Sequence, residues 1–146
     1  MQALENLKAK GEVKIELTRA DGTLETHEIK NLVVDVGLNY IVSRMKDATA
    51  NVMSHMAIGS GSTAAAAGNT TLGTELGRVA LTSTTVSTNT IQYVASFGAG
   101  VGTGNVQEAG LFNASSAGSM LARTVFGLVT KAAGDSMTIT WTVTVA

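Results

Sequence analysis

The last residues of the chain alternate without a break between apolar side chains and threonine. The apolar set is Met137, Ile139, Trp141, Val143 and Val145, and the threonines between them are Thr138, Thr140, Thr142 and Thr144. A period of two residues is that of a β-strand, in which successive side chains point to opposite faces of a sheet. The pattern therefore predicts a strand with one face in a core and a ladder of threonines on the other.

Residues 12–19 show the same alternation near the start of the chain. Their apolar face consists of Val13, Ile15 and Leu17. An Asp-Gly pair then marks a turn, after which a second apolar segment returns. A three-residue loop with Gly22 in the left-handed conformation places Val13 opposite Ile29, whereas a two-residue loop places Val13 opposite Lys30. The apolar pairing favours the three-residue loop, and we predict a bulged hairpin.

One amphipathic helix is predicted over about residues 35–46. Its apolar side chains recur at the i, i+3, i+4 and i+7 spacing of one helical stripe, at Leu38, Ile41, Val42 and Met45. Asp35 is placed to cap the N-terminus of the helix, and Arg44 and Lys46 lie near its C-terminus, where positive charge suits the helix dipole. We expect this to be the only substantial helix.

The rest of the sequence indicates short strands separated by clusters of Gly, Ser, Asn and Asp. With the first hairpin, eight strands are predicted, the later six at 52–58, 78–86, 90–97, 106–112, 120–126 and 137–145. This order favours a mainly β fold, an antiparallel eight-stranded jelly-roll-like β-sandwich with one helix. Residues 11–146 would form that single domain. Residues 1–10 are predicted to be an N-terminal arm that contacts another subunit.

Composition excludes several classes of protein. The 146-residue chain has no cysteine and a formal net charge of −1. No disulfide or thiolate metal site can form, and the charge gives no reason to expect binding to nucleic acid or to an anionic membrane. We see neither the unbroken apolar stretch of a signal peptide nor the roughly 18 apolar residues of a membrane span. Bacterial cytoplasm suits such a chain.

Charge is distributed unevenly along the sequence. Fifteen of the 21 acidic and basic residues lie within positions 1–47, and six lie in the remaining 99. The later part is rich in Ala, Gly, Thr and Ser, whose small neutral side chains are easily desolvated under another protein. The pattern indicates either a surface that favours assembly or the neutral exposed face of an ordinary β-protein. The absence of proline leaves sheet edges open to partners, unless the loop at 59–77 covers one.

We assign no catalytic, cofactor-binding or metal-binding residue, and we predict that the protein is not an enzyme. The glycine-rich stretch 98–104 has the spacing of neither a dinucleotide-binding motif nor a P-loop, and a strand rather than a helix is predicted after it. The two histidines, His27 and His55, lack the His-x-His spacing of a cupin-type metal site and are interpreted as structural. No serine stands in a nucleophile elbow.

Three charged residues stand out in the later part of the chain. Glu108 and Arg123 are lone charges in otherwise apolar strands, and we expect them to pair across neighbouring strands at the rim of a sheet. Asp135 follows a glycine just before the last strand, where its side chain suits a turn. All three are interpreted as structural.

Three stretches of the sequence resemble a known group of proteins. They are 31–41 (Asn-Leu-Val-Val-Asp-Val-Gly-Leu-Asn-Tyr-Ile), 56–61 with 72–78 (Met-Ala-Ile-Gly-Ser-Gly and Leu-Gly-Thr-Glu-Leu-Gly-Arg), and 108–112 (Glu-Ala-Gly-Leu-Phe). Over about residues 30–126 the chain resembles small structural proteins of tailed bacteriophages. Within that group it looks most like the capsid cement, or decoration, proteins, of the jelly-roll type found in a Bordetella podovirus.

The resemblance implies a structural virion protein without enzymatic activity. Cement proteins of this jelly-roll type sit as dimers on the capsid exterior, bind the major capsid protein and tie neighbouring capsomers together. The matching residues are turn and packing residues, so no catalytic or ligand residue carries over.

The alternative function is a receptor-binding or carbohydrate-binding module of a phage tail fibre or baseplate. Related sequences occur in such proteins, and jelly rolls host both functions. Sugar sites usually present exposed aromatic side chains, yet the aromatic residues of this chain fall mostly on predicted core faces. This favours the cement interpretation. The copy number per virion separates the two functions, because a shell protein is far more abundant than a tail protein.

Overall fold

The computed structural model describes residues 8–146, and residues 1–7 of the predicted arm lie outside the described residues. Nine strands and one helix follow one another along this part of the chain. Their bounds are β1 Ala9–Thr18, β2 Leu24–Val33, α1 Asp35–Lys46, β3 His55–Gly59, β4 Glu75–Ala80, β5 Ser83–Ser87, β6 Thr90–Phe97, β7 Gly104–Phe112, β8 Met120–Lys131 and β9 Ser136–Val145. Ala9 and Lys10, which the sequence placed in the arm, belong to β1 and pair with Val145 and Thr144 of β9.

The nine strands form one antiparallel sheet that curls over, so that its two halves enclose the core. The strand order is β4-β3-β7-β8-β2-β1-β9-β6-β5. Strand β2 joins the halves, because most of its length pairs with β1 while Leu32 and Val33 at its end pair with Arg123 and Ala122 of β8. We call the half from β2 to β5 sheet A and the half from β4 to β2 sheet B. The predicted class, a mainly β antiparallel jelly-roll-like sandwich with one helix, is confirmed.

The predicted count of eight strands is wrong, because the segment 78–86 lies in two strands rather than one. Strand β4 pairs with β3 in sheet B, whereas β5 pairs with β6 in sheet A. Leu81 and Thr82 cross between the sheets, and their amides donate to the carbonyls of Ser54 and Val94. The sequence does not reveal this crossing because its β-forming residues continue through it.

The first hairpin has the predicted register and turn. Val13 lies opposite Ile29, and Gly22 adopts a left-handed φ of 88°. The Gly22 amide donates to the Arg19 carbonyl, and the Arg19 amide donates to the Thr23 carbonyl, both at 2.9 Å. These bonds close the loop and set the register that buries the apolar face of β1, which consists of Val13, Ile15 and Leu17.

The N-terminus of α1 is not capped as predicted. Its N-cap residue is Val34, and no side chain bonds to the first turn. Asp35 is instead the first helical residue, and its amide donates to the carbonyl of Ala67 at 2.8 Å. The sequence predicted a local side-chain cap for the first turn of α1. A carbonyl from a distant loop instead accepts a hydrogen bond from an amide of that turn.

Gly37 determines which side of α1 is buried. A Cβ at this position would collide with the backbone of Leu121, so only glycine allows the helix to lie this close to β8. Tyr40 and Ile41, which lie three and four residues further on, pack against the core from the same side. The predicted apolar stripe is mostly turned outward, with exposed fractions of 42%, 65% and 82% for Leu38, Val42 and Met45.

The face assignment of β9 is confirmed. Trp141 and Ile139 are fully buried in the core between the sheets, and Val143 is nearly so. The alternate threonines lie on the outer face of sheet A and are partly exposed.

We expect Trp141→Ala to lower the free energy of unfolding by about 3–5 kcal/mol, because truncation of a fully buried indole leaves a large cavity. The matched control is Thr140→Ala, on the same strand but on the opposite face, with an expected change within about 0.5 kcal/mol. Chemical denaturation followed by far-ultraviolet circular dichroism measures both. Equal losses in the two variants would contradict the face assignment.

Candidate functional site

Glu108 on β7 and Arg123 on β8 form an ion pair, as predicted. Arg123 Nε lies 3.1 Å from Glu108 Oε1. The predicted location at a rim is wrong, because the side chains of Glu108 and Arg123 are 0% and 3% exposed. They lie on the outer face of sheet B beneath residues 60–74, which we call the cover loop. The backbone of this loop covers both side chains. Its amides and a carbonyl make the hydrogen bonds that water would make at the rim of a sheet.

The Glu108 carboxylate holds the cover loop through three backbone amides. Its Oε2 accepts hydrogen bonds from the amides of Gly61 and Thr74 at 2.6 and 2.8 Å, and its Oε1 accepts one from Gly73 at 2.7 Å. With the Arg123 contact, each oxygen has two donors, which matches the roughly four acceptor sites of a carboxylate. The carboxylate thus has no free acceptor position for a substrate proton or a metal ion. Its chemistry suits it to hold the loop in place.

Glycines make this close approach possible. A Cβ at Gly59 or Gly61 would collide with Glu108 Oε2, and a Cβ at Gly73 would lie 3.2 Å from the Cα of Gly61. Any larger residue would push the loop backbone away from the buried charge. The Ile-Gly-Ser-Gly and Leu-Gly motifs of the sequence therefore serve to bring amide donors to one carboxylate.

Arg123 holds the middle of the cover loop. Its Nη1 donates to Asn69 Oδ1 and its Nη2 donates to the Thr63 carbonyl, both at 3.0 Å. Asn69 Oδ1 also accepts from the Ala66 amide at 2.8 Å, which closes a short turn within the loop. Because hydrogen bonds to a charged donor are stronger than neutral ones, the pair fixes the loop near both ends and at its centre.

Arg78 on β4 is a second anchor, which the sequence did not predict. Its guanidinium lies 3.8 Å above the centre of the Phe112 ring and donates to the carbonyls of Ala114 and Ala117 at 3.0 Å. Arg78 Nη2 also lies 2.7 Å from Glu75 Oε1. In a regular strand residues three apart point to opposite faces, but a β-bulge between these two residues places them on the same side. The bulge is a tertiary feature, so the Glu-x-x-Arg spacing alone did not reveal the pair.

The three stretches that carry the phage resemblance meet at this place. A small apolar cluster on the outer face of sheet B contains Val34 and Val36 from the first stretch, Ala57 and Leu72 from the second, and Phe112 from the third. Together with Glu108 and its amide donors, these residues form one continuous structural unit.

The two histidines take part in local hydrogen bonds. His27 Nε2 lies 2.7 Å from Glu25 Oε1, and Ser54 Oγ lies 2.8 Å from His55 Nδ1. Within residues 8–146, no group of three or more His, Cys, Asp or Glu side chains is arranged to hold a metal ion. No helix in the same range is long and apolar enough to cross a membrane.

The glycine-rich stretch 98–104 connects β6 to β7, so a strand follows it, as predicted. Lys131 beside this loop is fully buried, and its Nζ donates to the Gly98 carbonyl at 2.9 Å. Burial lowers the pKa of the Lys131 ammonium, while the Asp135 carboxylate acts in the opposite direction. The sequence did not predict the burial of Lys131, because a lysine at the end of a strand resembles a solvated residue.

Asp135 has the turn role that the sequence predicted. Its Oδ2 accepts from the Ala132 amide at 2.9 Å within the β8–β9 turn. Its Oδ1 accepts from the Ala20 amide at 3.1 Å, which joins this turn to the first hairpin. Arg19 lies 3.7 Å from the same carboxylate.

All six charged residues after position 47 are thus held in internal contacts. Glu75 pairs with Arg78, Glu108 with Arg123 and Asp135 with Arg19, while Lys131 bonds to a carbonyl. Of these six, only Glu75 has a side chain with substantial exposure, at 37%. The surface contributed by residues 48–146 therefore carries almost no free charge.

A shallow depression of about 400 Å³ lies on the outer face of sheet A. Its polar lining consists of Glu12, Lys14, Glu28, Lys30, Gln92, Thr140 and Thr142. No aromatic side chain lines it among the described residues. The depression therefore lacks the stacking surface on which sugar-binding sites commonly depend.

No protein-family model, no curated protein and no solved structure matches the chain.

We expect Glu108→Gln to lower the free energy of unfolding by about 3–5 kcal/mol, because it leaves Arg123 buried without its counter-charge. Glu25→Gln is the matched control, since Glu25 pairs with Arg19 in a bridge whose side chains are 34% and 39% exposed. That variant should lose less than about 1 kcal/mol. Urea denaturation compares the two, and a loss from Glu108→Gln no larger than the control would contradict the proposed anchoring role.

Two glycine variants test whether the cover loop needs glycine because it passes close to Glu108, or only because glycine is flexible. Gly61→Ala should destabilise the protein by about 1–3 kcal/mol, because its methyl group collides with the Glu108 carboxylate. Gly68→Ala lies in the same loop with nothing within 4 Å of the added methyl group, so its stability should be unchanged or slightly higher. The melting temperatures of both variants test this, and a stable Gly61→Ala protein would refute the packing argument.

Proposed function

We propose that this protein is a non-enzymatic structural virion protein of a tailed bacteriophage, a cement or decoration subunit. In this role it binds the outer capsid surface and joins neighbouring capsomers of the major capsid protein, which stabilises the DNA-filled head. The observation that carries the proposal is the nearly charge-free surface of residues 48–146. The sequence resemblance to phage cement proteins favours the capsid as the surface that this protein binds.

A nearly neutral surface is suited to burial against other proteins. Proteins that remain monomeric in solution usually keep many charges exposed, because charge opposes non-specific association. Here the later charges stabilise the interior, and Ala, Gly, Thr and Ser cover the outside. Such side chains lose little conformational entropy and little hydration when a partner covers them.

The anchored cover loop supports the same function. Its exposed segment includes Thr63, Ala64, Ala66 and Ala67, while its backbone is held by Glu108 and Arg123. A loop that is already ordered pays less entropy on binding than one that must order against its partner. The loop can therefore present a fixed, small-residue surface to a capsomer.

Cement activity also requires contact with several neighbours at once. Multivalent contact converts individually weak interfaces into strong overall attachment, without a single tight pocket. The proposed partners are the major capsid protein and a second copy of the chain in a homodimer. Neither nucleic acid nor membrane is a proposed partner. The subunit would bind the capsid during assembly in the host bacterial cytoplasm and remain on the exterior of the virion.

Particles that lack this protein should release their DNA at a lower temperature than complete particles, because fewer contacts oppose the separation of capsomers under internal pressure. Host adsorption should remain normal. Addition of the purified protein to deficient particles should restore the release temperature, as measured with a DNA-binding dye during heating.

The same particles test the alternative of a tail-borne binding module. Presence of the protein only on tails would overturn the cement proposal. Loss of adsorption with an unchanged release temperature would also overturn it and favour the receptor-binding function.

A further inference from the structure

Strand β5 is an open edge of the sheet. It is the last strand in sheet A, and its partner within residues 8–146 is β6 on one side alone. All five of its residues, Ser83–Ser87, are exposed. Among the described residues, no strand pairs with the backbone amides and carbonyls on its outer side, and another strand can pair with them there.

The two edges of the sheet differ in how they are protected. At the opposite edge, β4 contains a β-bulge and carries the Glu75 carboxylate, whose side chain is 37% exposed. Bulges and charges are common devices by which proteins prevent edge-to-edge pairing. Strand β5 has no bulge in its pairing with β6, and it contains neither proline nor any charged residue. No acidic or basic residue occurs anywhere between Arg78 and Glu108.

We infer that two copies of this chain join through β5, in antiparallel pairing about a two-fold axis. In a two-fold interface residue i of one copy contacts residue j of the other, and only a residue on the axis faces its own counterpart. A charge on or beside the axis would therefore meet a like charge, and β5 carries none. A charge-free edge is therefore suited to a second copy. By contrast, an edge adapted to a different charged partner gains from complementary charges, which β5 does not offer.

The register follows from the length of the strand. Pairing of all five residues requires that the axis pass beside Thr85, which then lies opposite Thr85 of the second copy. Thr84 and Val86 point to the core side of the sheet, since they pair with Tyr93 and Ile91 of β6. Val86 of each copy therefore lies opposite Thr84 of the other, and its side chain, which is 69% exposed, becomes covered.

The inference rests on the proposed function in one respect, the role of the dimer. A dimer gives one cement unit two capsid-binding surfaces. Its test requires no capsid. A dimer that fails to bind capsids would overturn the cement proposal alone, whereas a monomer that binds them would overturn the β5 inference alone.

The first experiment compares the wild-type chain with Thr85→Lys in sedimentation equilibrium over a range of concentrations. We expect a wild-type dimer, and a dissociation constant at least about tenfold higher for Thr85→Lys, because two lysines then face each other at the axis. Thr26→Lys is the matched control, since Thr26 is also exposed but lies on β2, four strands away, opposite Glu16. It should dimerise like the wild type, and circular dichroism confirms that each variant is folded.

The second experiment uses the absence of cysteine from the chain. Thr85→Cys should form a disulfide-linked dimer under mild oxidation, because directly opposed strand residues lie within disulfide reach. Thr26→Cys should remain largely monomeric under the same conditions. A monomeric wild-type chain, or a Thr85→Lys dimer of unchanged affinity, would overturn the inference. Equal cross-linking of the two cysteine variants would overturn it as well.

Discussion

The buried pair of Glu108 and Arg123 is the interaction on which the outer side of sheet B depends. Two charges removed from water are tolerated only when their remaining hydrogen-bonding positions are filled. Loop amides, a carbonyl and an amide side chain fill them here. The same contacts require glycine where the loop passes the carboxylate. One electrostatic requirement thus explains the cover loop and the glycine motifs around it.

The use of charge inside the fold also shapes its outside. Lys131 and Asp135 join loops at one end of the sandwich, while Arg78 fastens the edge strand β4 to the carbonyls of Ala114 and Ala117. Little charge then remains for the surface of the later part of the chain. The same few charged residues therefore have two effects. They hold loops and strands together within the fold, and they leave the outer surface of residues 48–146 nearly neutral. A subunit of this kind is well suited to be covered by other proteins, as the proposed capsid role requires.

Sequence periodicity predicted those elements in which local pattern and tertiary environment agree. The faces of β1 and β9 and the register of the first hairpin follow from apolar alternation and one left-handed glycine. The pairing of Glu108 with Arg123 was also predicted, because lone charges in apolar strands need a partner. Their burial was not, since it depends on a loop whose own sequence has no regular period.

The sequence by itself determined the antiparallel β class, the bounds of α1 and the scarcity of charge after position 47, because these depend on nearest neighbours and composition. Only the tertiary structure decided which side of α1 is buried, where the chain crosses between sheets at Leu81, and which edge remains open. Each of these depends on contacts between residues far apart in sequence. A glycine against a strand, a bulge or a covering loop can override local periodicity, because close packing and the satisfaction of buried polar groups act on the folded chain as a whole.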